Sequence, residues 1–357
     1  MYYIVAMPSV ISKRIILCLL ALVLASAAYA RLPKYLEITF LTTNDLHAYL
    51  VPFDIKGDPV KKTPDIKDVG GAARRATIIR TIRSEDRNPV LLLDSGDTTY
   101  GWSPLAKAFH GAPDMDMMNV IGYDAMVPGN HEFQLHSPDL LRNHAAAKFP
   151  WVCANVIYEK TGELFTQPYI IREAGGVRVA ILGLTNDLVS TQPNTYKSGP
   201  ELGLKYLSAT EVAAKLVPEL RQKADIIVLL SHLGVGGDQA LAKAVPGIDI
   251  ILGGHSHWRL NPPRMVSVGQ PTAYWNGMVP VVQAGYFGMD LGRTRLIFHR
   301  DDSGKYTLMS CKGELIRINA SIPDDPAISR LIEGWVKRIP PPAPPKPATP
   351  APTAPAK

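Results

Sequence analysis

Leu36-Glu37-Ile38-Thr39-Phe40-Leu41-Thr42-Thr43-Asn44-Asp45-Leu46-His47 is an apolar, β-branched run that stops at a carboxylate and an imidazole two residues apart. The same construction recurs along the chain. Val90 to Leu93 precedes Gly96-Asp97, Ala125 to Val127 precedes Gly129-Asn130-His131, Asp225 to Leu230 precedes Ser231-His232, and Ile248 to Leu252 precedes Gly254-His255-Ser256-His257. Strands filled almost continuously with Val, Ile and Leu belong to a sheet covered on both faces, and ligands of such sheets collect beyond the carboxyl ends of the strands. The polar ends therefore converge on one edge.

Residues two apart on an extended chain point the same way, so Asp45 and His47 are expected to face one ion while Leu46 turns into the core, and His255 and His257 repeat this around Ser256. Carboxylate, imidazole and carboxamide donors without thiolates suit divalent zinc, manganese, iron or cobalt, not an iron–sulfur cluster. Five of the nine histidines fall in these segments, which makes a metal centre the joint reading. His110, His136, His144 and His299 fit no ligand spacing and read as surface or capping residues. His131 and His136 lie five apart in His131-Glu132-Phe133-Gln134-Leu135-His136, whereas a zinc-protease helix needs four.

The order Asp-x-His, Gly-Asp, Gly-Asn-His-Glu, His, Gly-His-x-His resembles the calcineurin-like metallophosphoesterases. Within them it is similar to the secreted 5′-nucleotidase and 2′,3′-cyclic phosphodiesterase branch, through Gly70-Gly71-Ala72-Ala73-Arg74, Gly122-Tyr123-Asp124-Ala125, Gly129 to Phe133, Val281 to Gly285 and Leu291-Gly292-Arg293. The resemblance covers roughly Leu36 to Ile318. It implies two divalent cations, the first held by Asp45, His47, Asp97 and His257, the second by Asp97, Asn130, His232 and His255, with Asp97 bridging. His131 matches the family's catalytic histidine, which stabilises the transition state or protonates the leaving alkoxide. The family typically carries Asp three residues later, where this chain has Gln134, and a carboxamide is expected to orient His131 more weakly than a carboxylate unless Glu132 or Asp139 substitutes.

A small-molecule phosphoester, most naturally a nucleotide, is the implied substrate, with cyclic phosphodiester activity beside it. Two-domain members of the branch add a C-terminal domain that grips the base between aromatic rings. In this sequence that place holds Pro340-Pro341-Pro342-Ala343-Pro344-Pro345-Lys346-Pro347 and further Ala, Pro and Thr to Lys357. Substrate contacts from the catalytic domain are then expected at Tyr100, Trp102 and Trp258, with Trp275 and Tyr286 near the motifs and Arg259 placed to pair with phosphate. Two other readings stay open: a related dimetal hydrolase of a sulfur oxyanion, and a non-catalytic exported metal-binding adaptor whose proline tail docks a partner. The first departs from Gly-Asn-His-Glu in its known members, and the second predicts eroded ligands.

Lys13 and Arg14 precede an apolar stretch from Ile15 to about Ala25, and Ser26-Ala27-Ala28-Tyr29-Ala30 offers a small-x-small cleavage site. Residues 1–30 read as a signal peptide, residues 31–338 as a metallophosphoesterase catalytic domain, and 339–357 as a polyproline-rich tail that packs no core. The stretch is short for a membrane span, so no stable anchor is expected and the product is exported to a periplasm or the exterior. Its removal takes two cations and no acid from a formal charge of +6. The remaining basic residues are scattered, which argues against nucleic acid and leaves a mildly positive surface suited to anionic substrates. Cys18 lies in the leader; Cys153, in Trp151 to Val156, reads as a small apolar side chain of a buried strand, and a bond to Cys311 is not expected.

Between the motifs, Ala72 to Arg83, Ser103 to Asn119, Ser137 to Ala147, Ser208 to Lys223, Gly237 to Ala244 and Asp325 to Arg338 read as helices. Val266 to Val268, Val281 to Ala284, Thr294 to His299 and Tyr306 to Ile318 read as strands, and Gly57 to Lys67 as an exposed loop. Composition and rhythm reach α/β; the four-layer α-β-β-α sandwich of two mixed sheets is what the family resemblance implies.

Overall fold

The computed structural model describes residues 32–57, 64–192, 194–268 and 277–341. The expected signal peptide, Trp275, most of the Pro-rich tail and residues 58–63 of the Gly57 to Lys67 loop lie outside the described residues. The described ends of that loop continue a short antiparallel hairpin, Phe53–Ile55 with Ile66–Val69.

Two mixed sheets dominate. The first runs Tyr306–Arg317, Asp290–Arg300, Tyr35–Thr43, Val90–Asp94, Ala125–Met126, with Tyr35–Thr43 parallel to Val90–Asp94 and antiparallel to Asp290–Arg300. The second runs Arg264–Ser267, Met278–Val282, Ile250–Gly253, Ile226–His232, Val177–Thr185, Tyr169–Ala174, parallel in its centre and antiparallel at both edges.

Side chains of successive strand residues alternate between faces, so each strand feeds two cores. Ile38, Phe40, Leu91 and Leu93 from the first sheet pack against Val179, Ile181, Val228, Leu230 and Ile250 from the second, which is the layer between the sheets. Leu41 and Leu92 point the other way, into a core shared with the helices Ala72–Glu85, Ala112–Ile121 and Pro326–Val336. On the far side Ile227, Leu229 and Ile251 meet the helices Ala209–Leu220 and Gly234–Ala244. Three cores and four layers result, the four-layer sandwich being what the family resemblance implies.

Three local readings change. The segment Ser103 to Asn119 is two helices, Pro104–Phe109 and Ala112–Ile121, because His110 and Gly111 turn left-handed (φ 49° and 89°) and a Cβ at Gly111 would lie 2.5 Å from Asn143 and Thr99. Trp151 to Asn155 is buried but forms no strand, and Val156 opens the short strand Val156–Tyr158. The buried stretch joins the sheets instead: Val152 N donates to Met126 O in one, and Ala154 N to Gly183 O in the other. The hairpin Tyr169–Ala174 with Val177–Thr185, turned by Gly175-Gly176, was not anticipated although a two-glycine turn between apolar runs is a hairpin signal.

Candidate metal centre

All five polar segments leave strands at carboxyl ends, three from the first sheet and two from the second, and they meet where the sheets abut. Asp45 N donates to Gly96 O (2.8 Å), His47 N to Asp97 O (2.9 Å) and Ala48 N to Thr98 O (2.8 Å), so two of the loops run side by side. The expected extended geometry is not what points the side chains inward. Asp45, His47, Asp97, His255 and His257 all have left-handed backbones, with φ of 51°, 48°, 57°, 75° and 58°. Each such residue costs about 1–2 kcal/mol, and tight left-handed turns let successive polar groups curl onto one point beyond the strand ends while Leu46 still buries fully.

Three overlapping triads of donor atoms lie within 4.8 Å of one another: Asp45, His47 and His257; His47, Asp97 and His131; Asp97, His232 and His255. His47 Nε2 is 3.2 Å from His257 Nε2, and His257 Nε2 is 3.3 Å from Asp45 Oδ1. His47 Nδ1 lies 2.9 Å from the Tyr100 carbonyl and His232 Nδ1 2.5 Å from the Ser95 carbonyl, so each ring donates through Nδ1 and turns its Nε2 inward. Asn130 joins through its neighbours: its Oδ1 accepts from Asn186 Nδ2 (2.9 Å), which also donates to His232 O, and its Nδ2 donates to the Tyr196 hydroxyl.

The donor set asks for a cation. His232 Nε2 is buried and stands 3.0 Å from Asp97 Oδ2, a pair that a shared proton or a cation must satisfy. Burial disfavours charge on His232, yet the Asp97 carboxylate outweighs it and lifts the imidazole to about 10. Burial likewise works against an ionised Asp97, but the rings of His232, His131 and His47 hold its carboxyl far below the usual range. Burial lowers His47 and His255. A buried carboxylate ringed by imidazole nitrogens fits divalent metal, which would take the place of the proton on His232.

His131 donates its backbone N–H to Asp97 Oδ1 (2.7 Å), and its Nε2 lies 3.9 Å from Asp97 Oδ2. Gln134 does reach it: Nδ1 is 2.8 Å from Gln134 Oε1. Tyr100 stacks on the His131 ring at 5.6 Å and Trp102 meets its edge at 6.1 Å, so the ring is held on several sides. Neither acid suggested as a stand-in for Gln134 is free for that role. Glu132 is bound to backbone amides of residues 97–99 and 129, and Asp139 pairs with His110 and Arg142.

Around this centre Trp102 and Trp258 are half exposed (52% and 50%), and Arg264 lies over the Trp258 ring. Arg259 is committed to Asp290 through Nε at 2.6 Å and Nη2 at 3.2 Å, an ion pair with which a phosphate would compete. Tyr286 stacks on His257 at 5.1 Å. Phe287 was missed: its ring meets His47 and His257 and stacks on Tyr49 at 4.0 Å, while its N–H donates to Asp45 O. Only its place beside the Val281 to Gly285 motif could have flagged it. The other four histidines lie elsewhere, His110 on Asp139, His136 on Glu201, His144 against Trp151 and His299 against Tyr35.

A family model described as calcineurin-like phosphoesterase matches residues 38–259, the span that carries every donor above. The chain belongs to the calcineurin-like phosphoesterase family. As a calcineurin-like phosphoesterase it is a metal-dependent phosphoric ester hydrolase by family. It is 36% identical over 323 residues to a 5′-nucleotidase of Mus musculus, covering 84% of this chain and 52% of that protein. It is 31% identical over 327 residues to the 2′,3′-cyclic-nucleotide 2′-phosphodiesterase/3′-nucleotidase of Salmonella typhimurium, covering 83% and 48%. The structure of a 5′-nucleotidase precursor from Thermus thermophilus superposes with a TM-score of 0.70 at 31% identity, over 84% of this chain and 58% of that one. This phosphoesterase chain thus spans about half the length of the curated relatives it matches.

Proposed function

We propose that this phosphoesterase is an exported, dinuclear phosphomonoesterase acting on nucleotides, with 2′,3′-cyclic nucleotides as further substrates. The carrying observation is the convergence of Asp45, His47, Asp97, His232, His255 and His257 into overlapping triads of donor atoms around the Asp97 carboxylate. Asp45, His47, Asp97 and His257 would hold one ion, and Asp97, Asn130, His232 and His255 the other. When bound, divalent manganese, zinc, iron or cobalt supplies Lewis acidity toward the phosphoryl group and makes hydroxide available near neutral pH. Asp97, common to both sets, would supply the negative charge that lets two cations sit close. His131, fixed by Gln134 through Nδ1, directs Nε2 toward the leaving oxygen and returns a proton to it.

Tyr100, Trp102 and Trp258 offer ring faces to the leaving group, and export follows from the leader read in residues 1–30. The identity of relatives named as nucleotidases supports the substrate class. The test is a screen of the mature protein with Mn²⁺ against nucleoside 5′-monophosphates, 2′,3′-cyclic nucleotides and sugar phosphates, with Asn130→Ala as control. Turnover of nucleotides that falls at least about 100-fold in Asn130→Ala is expected. Sugar phosphates turned over in preference would remove the nucleotide assignment, and no turnover of any phosphoester would remove the enzymatic one.

A further inference from the structure

Glu132 is fully buried, yet among the described residues no cation is bonded to its carboxylate. Its oxygens are taken up by the backbone. Oε2 accepts from Asp97 N (2.9 Å) and Gly129 N (2.7 Å); Oε1 accepts from Thr98 N (2.7 Å), Thr99 N (2.8 Å) and the Thr99 hydroxyl (3.1 Å). Three successive N–H groups curling onto one anion form a nest, and that curl accompanies the left-handed turn at Asp97. Without an acceptor these buried amides would each be left unsatisfied at a cost of about 1–3 kcal/mol.

The geometry points to Glu132 as the positioning residue that sets where the shared carboxylate of Asp97 stands; the inference rests on the dimetal reading above. One carboxylate ties the loop bearing Asp97 to the loop bearing Asn130 and His131. It pulls Gly129 so close that a Cβ there would lie 2.2 Å from Asp97 Oδ1. The spacing of Asp97 from Asn130, and of Asp97 from His131, is thereby fixed from behind. Charge matters as well as shape, because four amide donors converge on a group that must only accept. Glu132 does not face the substrate, so its effect passes through metal placement.

Glu132→Gln keeps the volume but turns an amine toward N–H donors. Calorimetric titration with Mn²⁺ reads the outcome without turnover: binding is expected to weaken about 10- to 100-fold. With nucleoside monophosphate, kcat at fixed metal should fall and recover in part with excess Mn²⁺, while KM moves less than about threefold. Wild-type Mn²⁺ affinity in the folded variant overturns the inference. If Glu132→Gln does not fold, Glu132→Asp, which draws the charge back by a methylene, carries the test with the same readout, and loss of fold in both overturns a role confined to two loops. Absence of Mn²⁺ binding by the wild-type chain would instead overturn the dimetal reading, so the two failures are distinct.

Discussion

At the scale of single residues, the departure at Gln134 has a measurable consequence. Its Oε1 accepts from His131 Nδ1 at 2.8 Å, so the ring is oriented, but a neutral acceptor supports the imidazolium that hands over the proton less than a carboxylate would. Gln134→Asp is expected to raise kcat several-fold in steady-state assays, and Gln134→Leu to lower it about 10- to 100-fold with metal affinity unchanged. Equal kcat in all three forms would show that Tyr100 and Trp102 suffice to hold the ring. Gly129→Ala makes a harder demand, since its Cβ would lie 2.2 Å from Asp97 Oδ1 and 2.7 Å from His232 Cε1. We expect metal content and activity both to drop by about two orders of magnitude or more, measured by elemental analysis and turnover. The donors themselves were legible because polar residues ending apolar runs leave a signature in residue type. Glu132 and Phe287 were not, because they act through backbone amides and ring edges, which no spacing rule records.

Elements were legible where hydrophobic period and burial agree, as in Tyr35–Thr43 and Ile226–His232, and illegible where a tertiary contact decides. The break at His110-Gly111 is set by how closely Asn143 and Thr99 approach, and the bridge at Trp151 to Ala154 by two sheets that no local pattern foretells. The helix Gly234–Ala244 illustrates a further, titratable feature. It carries Asp238 into the core beneath the second sheet, where Oδ1 accepts from Ser231 Oγ at 2.5 Å and Oδ2 has no partner. Burial pushes this carboxyl up to about 7 from an ordinary value near 3.8. Between those two values the folded chain binds more protons than the unfolded one, so stability falls as pH rises through the window and levels off above it. Asp94, also raised to about 7 by burial, adds a slope of the same sign. Asp238→Asn keeps the bond to Ser231 and has no charge to bury. In urea melts with chelator present, the variant should lose about 1–3 kcal/mol less than wild type between pH 5 and pH 8. Parallel pH curves would mean that Asp238 does not titrate in that window.

For the whole molecule, the four layers are held by apolar cores, while the polar loops bring the carboxyl ends of the two sheets together. Asp45, Asp97 and Asn130 come from the first sheet and His232, His255 and His257 from the second, so bound cations would pin one sheet to the other. That cross-link would add to the hydrogen bonds already joining the sheets, Ser95 Oγ to Leu252 O (2.9 Å) and the bridge at Trp151 to Ala154. Five left-handed ligand-bearing residues there store strain that convergent bonding must offset. Metal at about 100 times its dissociation constant would then stabilise the native chain by about 2.7 kcal/mol, since the unfolded chain lacks the converged donors. For a folded domain of this size that corresponds to a shift of roughly 4 °C in Tm. Chelation should lower Tm by that amount in calorimetric scans, and Mn²⁺ should restore it. Asp97→Ala, which removes the shared carboxylate, should melt at one temperature with or without metal. A chelator-independent Tm in the wild type would mean that the loops converge without metal, the sheets being joined by their apolar layer and by hydrogen bonds such as Ser95 to Leu252.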